Sequence, residues 1–139
     1  MFRLLSLDGD YTDLKGPRSP QCYWNGDFDP EALRTARANA RENGVAQRIR
    51  FGTADVSKLP ARAARTYDVV CANLISNLLV AARKRILARV APGGVLVLAG
   101  ILATEFDEVR RVYESAGLRM LASATRNEWR SVSFSNTYP

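Results

Sequence analysis

Two apolar runs, residues 67–72 (apolar except at Asp68) and residues 95–99, flank a stretch of helical periodicity, and this order constrains the fold more than any other feature. Short apolar runs of this kind suit strands buried on both faces of a parallel sheet. Between them Leu78, Leu79, Ala82, Ile86, Leu87 and Val90 recur at helical spacing, while Arg83, Lys84, Arg85 and Arg89 fill the other side. The spacing predicts a helix over residues 76–90 whose basic run is a solvated face. Parallel strands joined through a helix form right-handed crossovers in a doubly wound sheet. Such sheets take ligands beyond the carboxyl ends of their strands.

The flanking segments extend this α/β pattern. Asp29 is a suitable N-cap, Pro30 fits a first helical position, and Leu33, Ala36 and Ala40 give residues 30–43 a buried stripe before Gly44 stops the helix. Ile49 and Phe51 begin a strand running toward Asp55, and a loop containing Pro60 follows. Pro92-Gly93-Gly94 predicts a turn, and Thr104 with Asp107 a capping box. The helix it opens carries Phe106, Val109, Tyr113 and Ala116 as its buried stripe and ends at Gly117. Residues 118–125 and 129–134, joined by Arg126-Asn127-Glu128, read as an antiparallel hairpin. Residues 1–25 are atypical. Asp8-Gly9-Asp10 and Gly16-Pro17-Arg18-Ser19-Pro20 break any helix, although residues 2–7 could form a strand.

Composition narrows the chemistry. The chain of 139 residues is 47% hydrophobic and 24% charged, which suits one globular domain. No apolar stretch approaches the roughly 20 residues that a membrane-spanning helix needs, and no signal-peptide pattern opens the chain, so the expectation is a cytoplasmic protein without a membrane partner. There is no histidine, which excludes Ser-His-Asp and Cys-His catalysis and most transition-metal sites. Cys22 and Cys71 are the only cysteines, and Cys71, inside an apolar run, reads as a small buried hydrophobe; no metal site is expected. The formal charge of +6 would suit a nucleic-acid partner. Only Lys15, Lys58 and Lys84 of the 20 basic residues are lysines, however, and abundant arginine and alanine are what a GC-rich coding bias produces, so charge alone does not favour it.

Four segments together carry a family resemblance. They are Gly26-Asp27-Phe28-Asp29-Pro30-Glu31-Ala32 with Ala38-Asn39-Ala40-Arg41-Glu42-Asn43-Gly44; Ala72-Asn73-Leu74-Ile75-Ser76-Asn77-Leu78-Leu79; Pro92-Gly93-Gly94-Val95-Leu96-Val97-Leu98-Ala99-Gly100-Ile101-Leu102; and Glu128-Trp129. In this order and spacing, residues 26–134 resemble the C-terminal part of class I S-adenosylmethionine-dependent methyltransferases that modify a large-subunit ribosomal protein on amino groups. The resemblance implies a Rossmann-like fold, a mostly parallel doubly wound sheet with a C-terminal antiparallel hairpin, over residues 26–139. It also implies S-adenosylmethionine as cofactor and a ribosomal protein, methylated on lysine or an N-terminal amine, as substrate.

The matched positions then acquire roles. Asp27, at the end of the second strand, would accept hydrogen bonds from ribose hydroxyls, unless it only caps the following helix. Asp55 would receive the adenine amino group, or is an ordinary loop aspartate. Asn73 would stand at the reacting centre, against both cofactor and substrate amine, or is a strand-terminal turn residue. Leu74, Ile75 and Asn77 would shape the adjoining substrate wall. Ile101 and Leu102 read as core, and Trp129 as hairpin packing.

The family's first strand and its G-x-G-x-G loop have no counterpart beyond Leu7-Asp8-Gly9, which makes the expected fold N-terminally truncated. Loss of that central strand would leave its neighbours with unpaired backbone groups and favour self-association through an exposed sheet edge. The alternatives are an inactive or interaction-only fragment, or a methyltransferase acting on RNA or a small molecule. A nicotinamide-dependent dehydrogenase loses weight because it too needs a glycine-rich first turn.

Overall fold

The computed structural model describes residues 3–7, 22–27, 30–53 and 55–137, with the backbone alone over 22–27 and at Thr53. Among the described residues seven strands form one sheet: β1 (Arg3–Ser6), β2 (Cys22–Asp27), β3 (Ile49–Thr53), β4 (Tyr67–Asn73), β5 (Val90–Leu102), β6 (Arg119–Arg126) and β7 (Trp129–Ser135). Their spatial order is β3-β2-β1-β4-β5-β7-β6. The first five are parallel, and β7 runs antiparallel to both β5 and β6. The expected doubly wound sheet with its terminal hairpin is therefore present.

The sheet's centre departs from expectation. Leu4, Leu5 and Ser6 pair with Tyr23, Trp24 and Asn25 on one side and with Val69, Val70 and Cys71 on the other. Arg3–Ser6 thus takes the first-strand position, and the unpaired backbone groups anticipated on β2 and β4 are satisfied. Leu5 and Leu7, 1% and 3% exposed, fill the core beneath them. A short alternating apolar segment suffices for a central strand when both neighbours supply ladder partners. The anticipated cap Asp29 lies outside the described residues.

Helices α2 (Ser76–Ala81), α3 (Arg83–Leu87) and α4 (Phe106–Ser115) cover one face of the sheet. There Leu79, Ile86, Phe106, Val109 and Tyr113 bury Leu5, Val70, Leu96, Leu98, Ile101, Val132 and Phe134. Helix α1 (Pro30–Glu42) packs on the opposite face, where Ala40, Val45 and Ile49 form a smaller cluster with Leu4 and Phe51. Gly44, at φ +68°, ends α1 in the left-handed region, as anticipated.

Several local expectations are corrected. Residues 76–90 are two short helices broken at Ala82 (φ −91°, ψ 6°), and Val90 already belongs to β5. Arg89 is 8% exposed and Arg85 half-buried, so the basic run is not a uniformly solvated face. Arg85 Nε donates to the Leu59 carbonyl at 2.7 Å, and Arg89 donates to the carbonyls of Pro60 and Arg85. The Pro60 loop folds over the helix, burying Arg89 and half-covering Arg85.

The Thr104–Asp107 capping box does not form. A 3-10 turn at Ala103–Glu105 precedes α4, whose N-cap residue Glu105 makes no side-chain cap bond, and Asp107 pairs with Arg110 at 3.8 Å instead. Ala116 lies beyond α4 and is exposed. Val69, Cys71, Val95 and Val97 are half-buried rather than buried, because among the described residues α1 alone packs on their face, over β2 and β3. Desolvation nevertheless raises the Cys71 thiol above its ordinary value.

The expected Pro92-Gly93-Gly94 turn exists as an outward loop within β5: the register jumps from Tyr67↔Val90 to Val69↔Val95, and Gly93 has φ +72°. Asn136 clamps it, its side-chain amide donating to the Val90 and Ala91 carbonyls at 3.3 and 3.2 Å. A Cβ on Gly94 would lie 2.8 Å from the Ala91 carbonyl oxygen.

Candidate functional site

Strands β1, β2 and β3 step outward in one direction and β4, β5 in the other, so the order of connection reverses between β1 and β4. In an open α/β sheet that reversal leaves a crevice at the carboxyl ends of the two strands. Leu7 continues β1 toward it, its amide donating to the Cys71 carbonyl at 2.8 Å. Asn73 is the last residue of β4, opposite Ala99 of β5, and its side chain is exposed.

The chain beyond Asn73 forms the rim. The Leu74 amide donates to the Ala99 carbonyl at 3.2 Å, and Leu74 packs against the main core. Ile75 precedes α2 and is 67% exposed, the most exposed large hydrophobic side chain among the described residues. Asn77 is exposed in the first turn of α2. Ser76 between them is buried, and its hydroxyl has no hydrogen-bond partner among the described residues.

The sequence sets Gly100 just after the apolar run 95–99 and gives it no role of its own. It has φ +79°, and a Cβ there would stand 2.8 Å from Asn73 Oδ1 and 2.9 Å from the Leu74 carbonyl oxygen. Only glycine lets β5 pass this close behind the Asn73 amide. The one advance signal is a glycine directly after an apolar run, which indicates a close backbone approach without saying to what.

Asp27 is the last residue of β2, opposite Thr53 of β3, so its backbone stands at the same edge. Asp55 lies just past β3 and caps a 3-10 turn at Val56–Lys58. Its Oδ1 accepts from the Ser57 amide at 2.9 Å and from the Ser57 hydroxyl at 2.6 Å, and Lys58 Nζ stands 3.6 Å from Oδ2. The Ser57 hydrogen bonds, with a smaller contribution from Lys58, hold the Asp55 carboxyl below its usual value. Asp55 is thus an ionised capping residue whose Oδ1 is taken up by Ser57 and whose Oδ2 faces Lys58 of the same turn.

Of the other singled-out residues, Ile101 is fully buried, Leu102 half-buried, and Trp129 48% exposed at the start of β7. Ile101 is core as expected, whereas Trp129 is only partly packed. No described group of His, Cys, Asp or Glu could hold a metal ion, and no described helix is long and apolar enough to cross a membrane.

The fold has counterparts of known structure. It superposes on a ribosomal protein L11 methylase from Lactobacillus delbrueckii subsp. bulgaricus with a TM-score of 0.81 at 13% identity, over 98% of this chain and 70% of that one. It superposes on the N-methyltransferase NodS from Bradyrhizobium japonicum, in complex with S-adenosyl-L-homocysteine, with a TM-score of 0.74 at 15% identity, over 97% and 78% of the two chains. At these identities the likeness shows the fold alone, the Rossmann-like arrangement of class I methyltransferases.

Sequence comparison goes further. The ribosomal protein L11 methyltransferase of Xylella fastidiosa (strain 9a5c) is 43% identical over 104 residues, 74% of this chain and 32% of that protein. That of Rhizobium rhizogenes is 36% identical over 104 residues, 74% of this chain and 36% of that protein. The chain spans about a third of the length of these relatives. The family model described as Ribosomal protein L11 methyltransferase (PrmA) matches residues 21–137, and the chain therefore belongs to this family.

Proposed function

We propose that this chain binds S-adenosylmethionine in the crevice between β1 and β4 and serves methyl transfer to an amino group, lysine or an N-terminal amine, of a ribosomal protein. Family membership supports the reaction class. The observation that carries the site is the placement of Asn73 at the carboxyl end of β4, backed by Gly100 and flanked by the exposed Ile75.

The described residues suit such a cofactor. Asp27, at the end of β2, would accept from the ribose hydroxyls, a charge-assisted contact stronger than a neutral acceptor could give. Asp55, held ionised by Ser57, would accept from the adenine amino group with Oδ2, the oxygen it shares with Lys58. When bound, S-adenosylmethionine supplies a methyl group activated by its sulfonium, which an amine lone pair displaces in line. Asn73 Oδ1 would accept an N–H of the substrate amine and so point its lone pair at the reacting carbon. Leu74, Ile75 and Asn77 would hold the acceptor side chain and exclude water. Positioning and desolvation are the whole of the protein's task here, which is why no imidazole is required.

Calorimetric titration of the chain with S-adenosylhomocysteine, alongside Asp27→Asn and Asn73→Ala, tests the reading, together with transfer of labelled methyl groups to a large-subunit ribosomal protein. Micromolar binding that weakens in both variants is the expected result; a wild-type chain that binds nothing overturns it. A second reading has its own observation, because Leu7-Asp8-Gly9-Asp10 stands where the family carries G-x-G-x-G. On that reading the chain keeps the family fold as an interaction module, and the wild-type titration decides between the two.

A further inference from the structure

On the amino-terminal side of the sheet, away from the crevice, the loop after the Val56–Lys58 turn folds over α3 and leaves a cavity of about 330 Å³. Its floor is apolar, formed by Leu5, Leu59, Ala63 and Tyr67, the first residue of β4. Around it stand Arg62, Arg65 and Arg89, with Arg85 bonded to Leu59 of the same wall.

Arg89 is more than nine-tenths buried, yet among the described residues its guanidinium meets carbonyl oxygens alone: those of Pro60 at 3.2 and 3.3 Å and of Arg85 at 2.5 Å. Carbonyls accept its hydrogen bonds, but among the described residues no carboxylate balances its charge, a costly arrangement for a buried group. Burial, with Arg85 alongside, pulls the Arg89 guanidinium below its ordinary value, against the opposing influence of Tyr67. Among the described residues the ion pairs lie elsewhere, at Arg34–Glu31, Lys58–Asp55, Arg110–Asp107 and Arg110–Glu114. Asp68, which follows Tyr67 in sequence, accepts the Arg3 amide at 2.7 Å. Arg62 and Arg65 are exposed and line the same small cavity as Arg89, so their guanidinium donors are available to a ligand there.

We propose that this arginine cavity is an anion site that takes a phosphate group, carried by a nucleic-acid strand or free as a small phosphate. Guanidinium forks match phosphate oxygens in pairs, and one phosphate would neutralise the Arg89 charge while ordering the exposed Arg62 and Arg65. The apolar floor would seat the organic part of the ligand, with the Tyr67 ring as the nearest aromatic surface.

The test uses the exposed arginines, whose loss leaves the core intact. The wild-type chain and R62S/R65S are melted in sodium phosphate and in sodium chloride at equal ionic strength. A short labelled single-stranded RNA is then titrated by fluorescence anisotropy over a range of salt. The expected result is a rise of several degrees in phosphate for the wild type that the double variant lacks. If the source is a nucleic acid, RNA binds at least tenfold more tightly than inorganic phosphate, and the double variant loses about 1.4 from the magnitude of the log–log salt slope, two contacts' worth. RNA no tighter than inorganic phosphate assigns the site to a small phosphate. Equal melting shifts in wild type and double variant, or no phosphate shift together with unchanged RNA binding, overturn the proposal.

Discussion

A Cβ placed on Gly100 would stand 2.8 Å from Oδ1 of Asn73, so the final residues of β5 and the amide at the end of β4 occupy space that only a glycine allows. Gly100→Ala must therefore move the Asn73 amide or the Leu74 carbonyl while also holding alanine at φ +79°. The cost should be about 2–3 kcal/mol, measured by denaturant unfolding. Gly44→Ala is the control, since Gly44 has φ +68° but nothing within 4 Å of a built Cβ. It should lose only about 1 kcal/mol and leave cofactor binding unchanged. Equal losses at the two positions would show that the Gly100–Asn73 contact relaxes freely.

If Asn73 orients the amine, Asn73→Ala should lower kcat/KM for methyl transfer about 100-fold, as expected when a reacting group is left unaligned. Because the side chain is exposed, stability should change by less than about 1 kcal/mol. An activity loss matched by an equal loss of folded protein would remove Asn73 from the reacting centre and return it to a turn-forming role.

The fold was more legible than the site because the two depend on different kinds of information. Leu96 and Leu98 announce a buried strand by apolarity alone, and Asn127 with its neighbours announces a hairpin by local turn chemistry. The status of Arg89 is not local: whether an arginine on a helix meets water depends on where the Pro60 loop lies, and no helical periodicity contains that. Thr104 and Asp107 satisfied the capping pattern, yet the 3-10 turn at Ala103–Glu105 supplied another way to begin α4. The strand at Arg3–Ser6 is faint in the sequence because its stability comes from Tyr23–Asn25 and Val69–Cys71 on either side. Asp27, Asp55 and Asn73 were placed at the sheet's carboxyl edge by topology, but their roles rest on family resemblance.

Tyr113 links the two halves of the larger core. Its hydroxyl donates to the Leu79 carbonyl at 2.8 Å, and its ring stacks on Phe134 at 5.8 Å between centroids. Tyr113→Phe should cost about 1–2 kcal/mol by leaving the Leu79 carbonyl without its buried donor. Burial raises the phenol above its ordinary value, opposed only slightly by Arg83. The unfolded chain then loses this proton near pH 10 while the folded chain keeps it, so the stability linked to Tyr113 is complete below pH 10 and declines above it. The decline should approach about 1.4 kcal/mol per pH unit. Subtracting the Tyr113→Phe pH profile from that of the wild type between pH 8 and 11 isolates the effect, and parallel profiles would contradict it.

The hairpin of β6 and β7 turns at Asn127, which holds φ 54° between the paired residues Arg126 and Trp129. Asparagine tolerates the left-handed region, glycine adopts it freely, and a β-branched side chain is strained there. Asn127→Gly should leave the melting temperature within a degree or two, whereas Asn127→Val should lose about 1–2 kcal/mol. The consequence extends beyond stability, because β6 is the outer strand and protects β7, which pairs directly with β5. Loosening the turn would expose the backbone of β7, and an exposed edge recruits another chain. Asn127→Val should therefore form concentration-dependent oligomers below its melting temperature, measurable by sedimentation velocity. A destabilised but strictly monomeric variant would mean that β6 keeps its register without help from the turn.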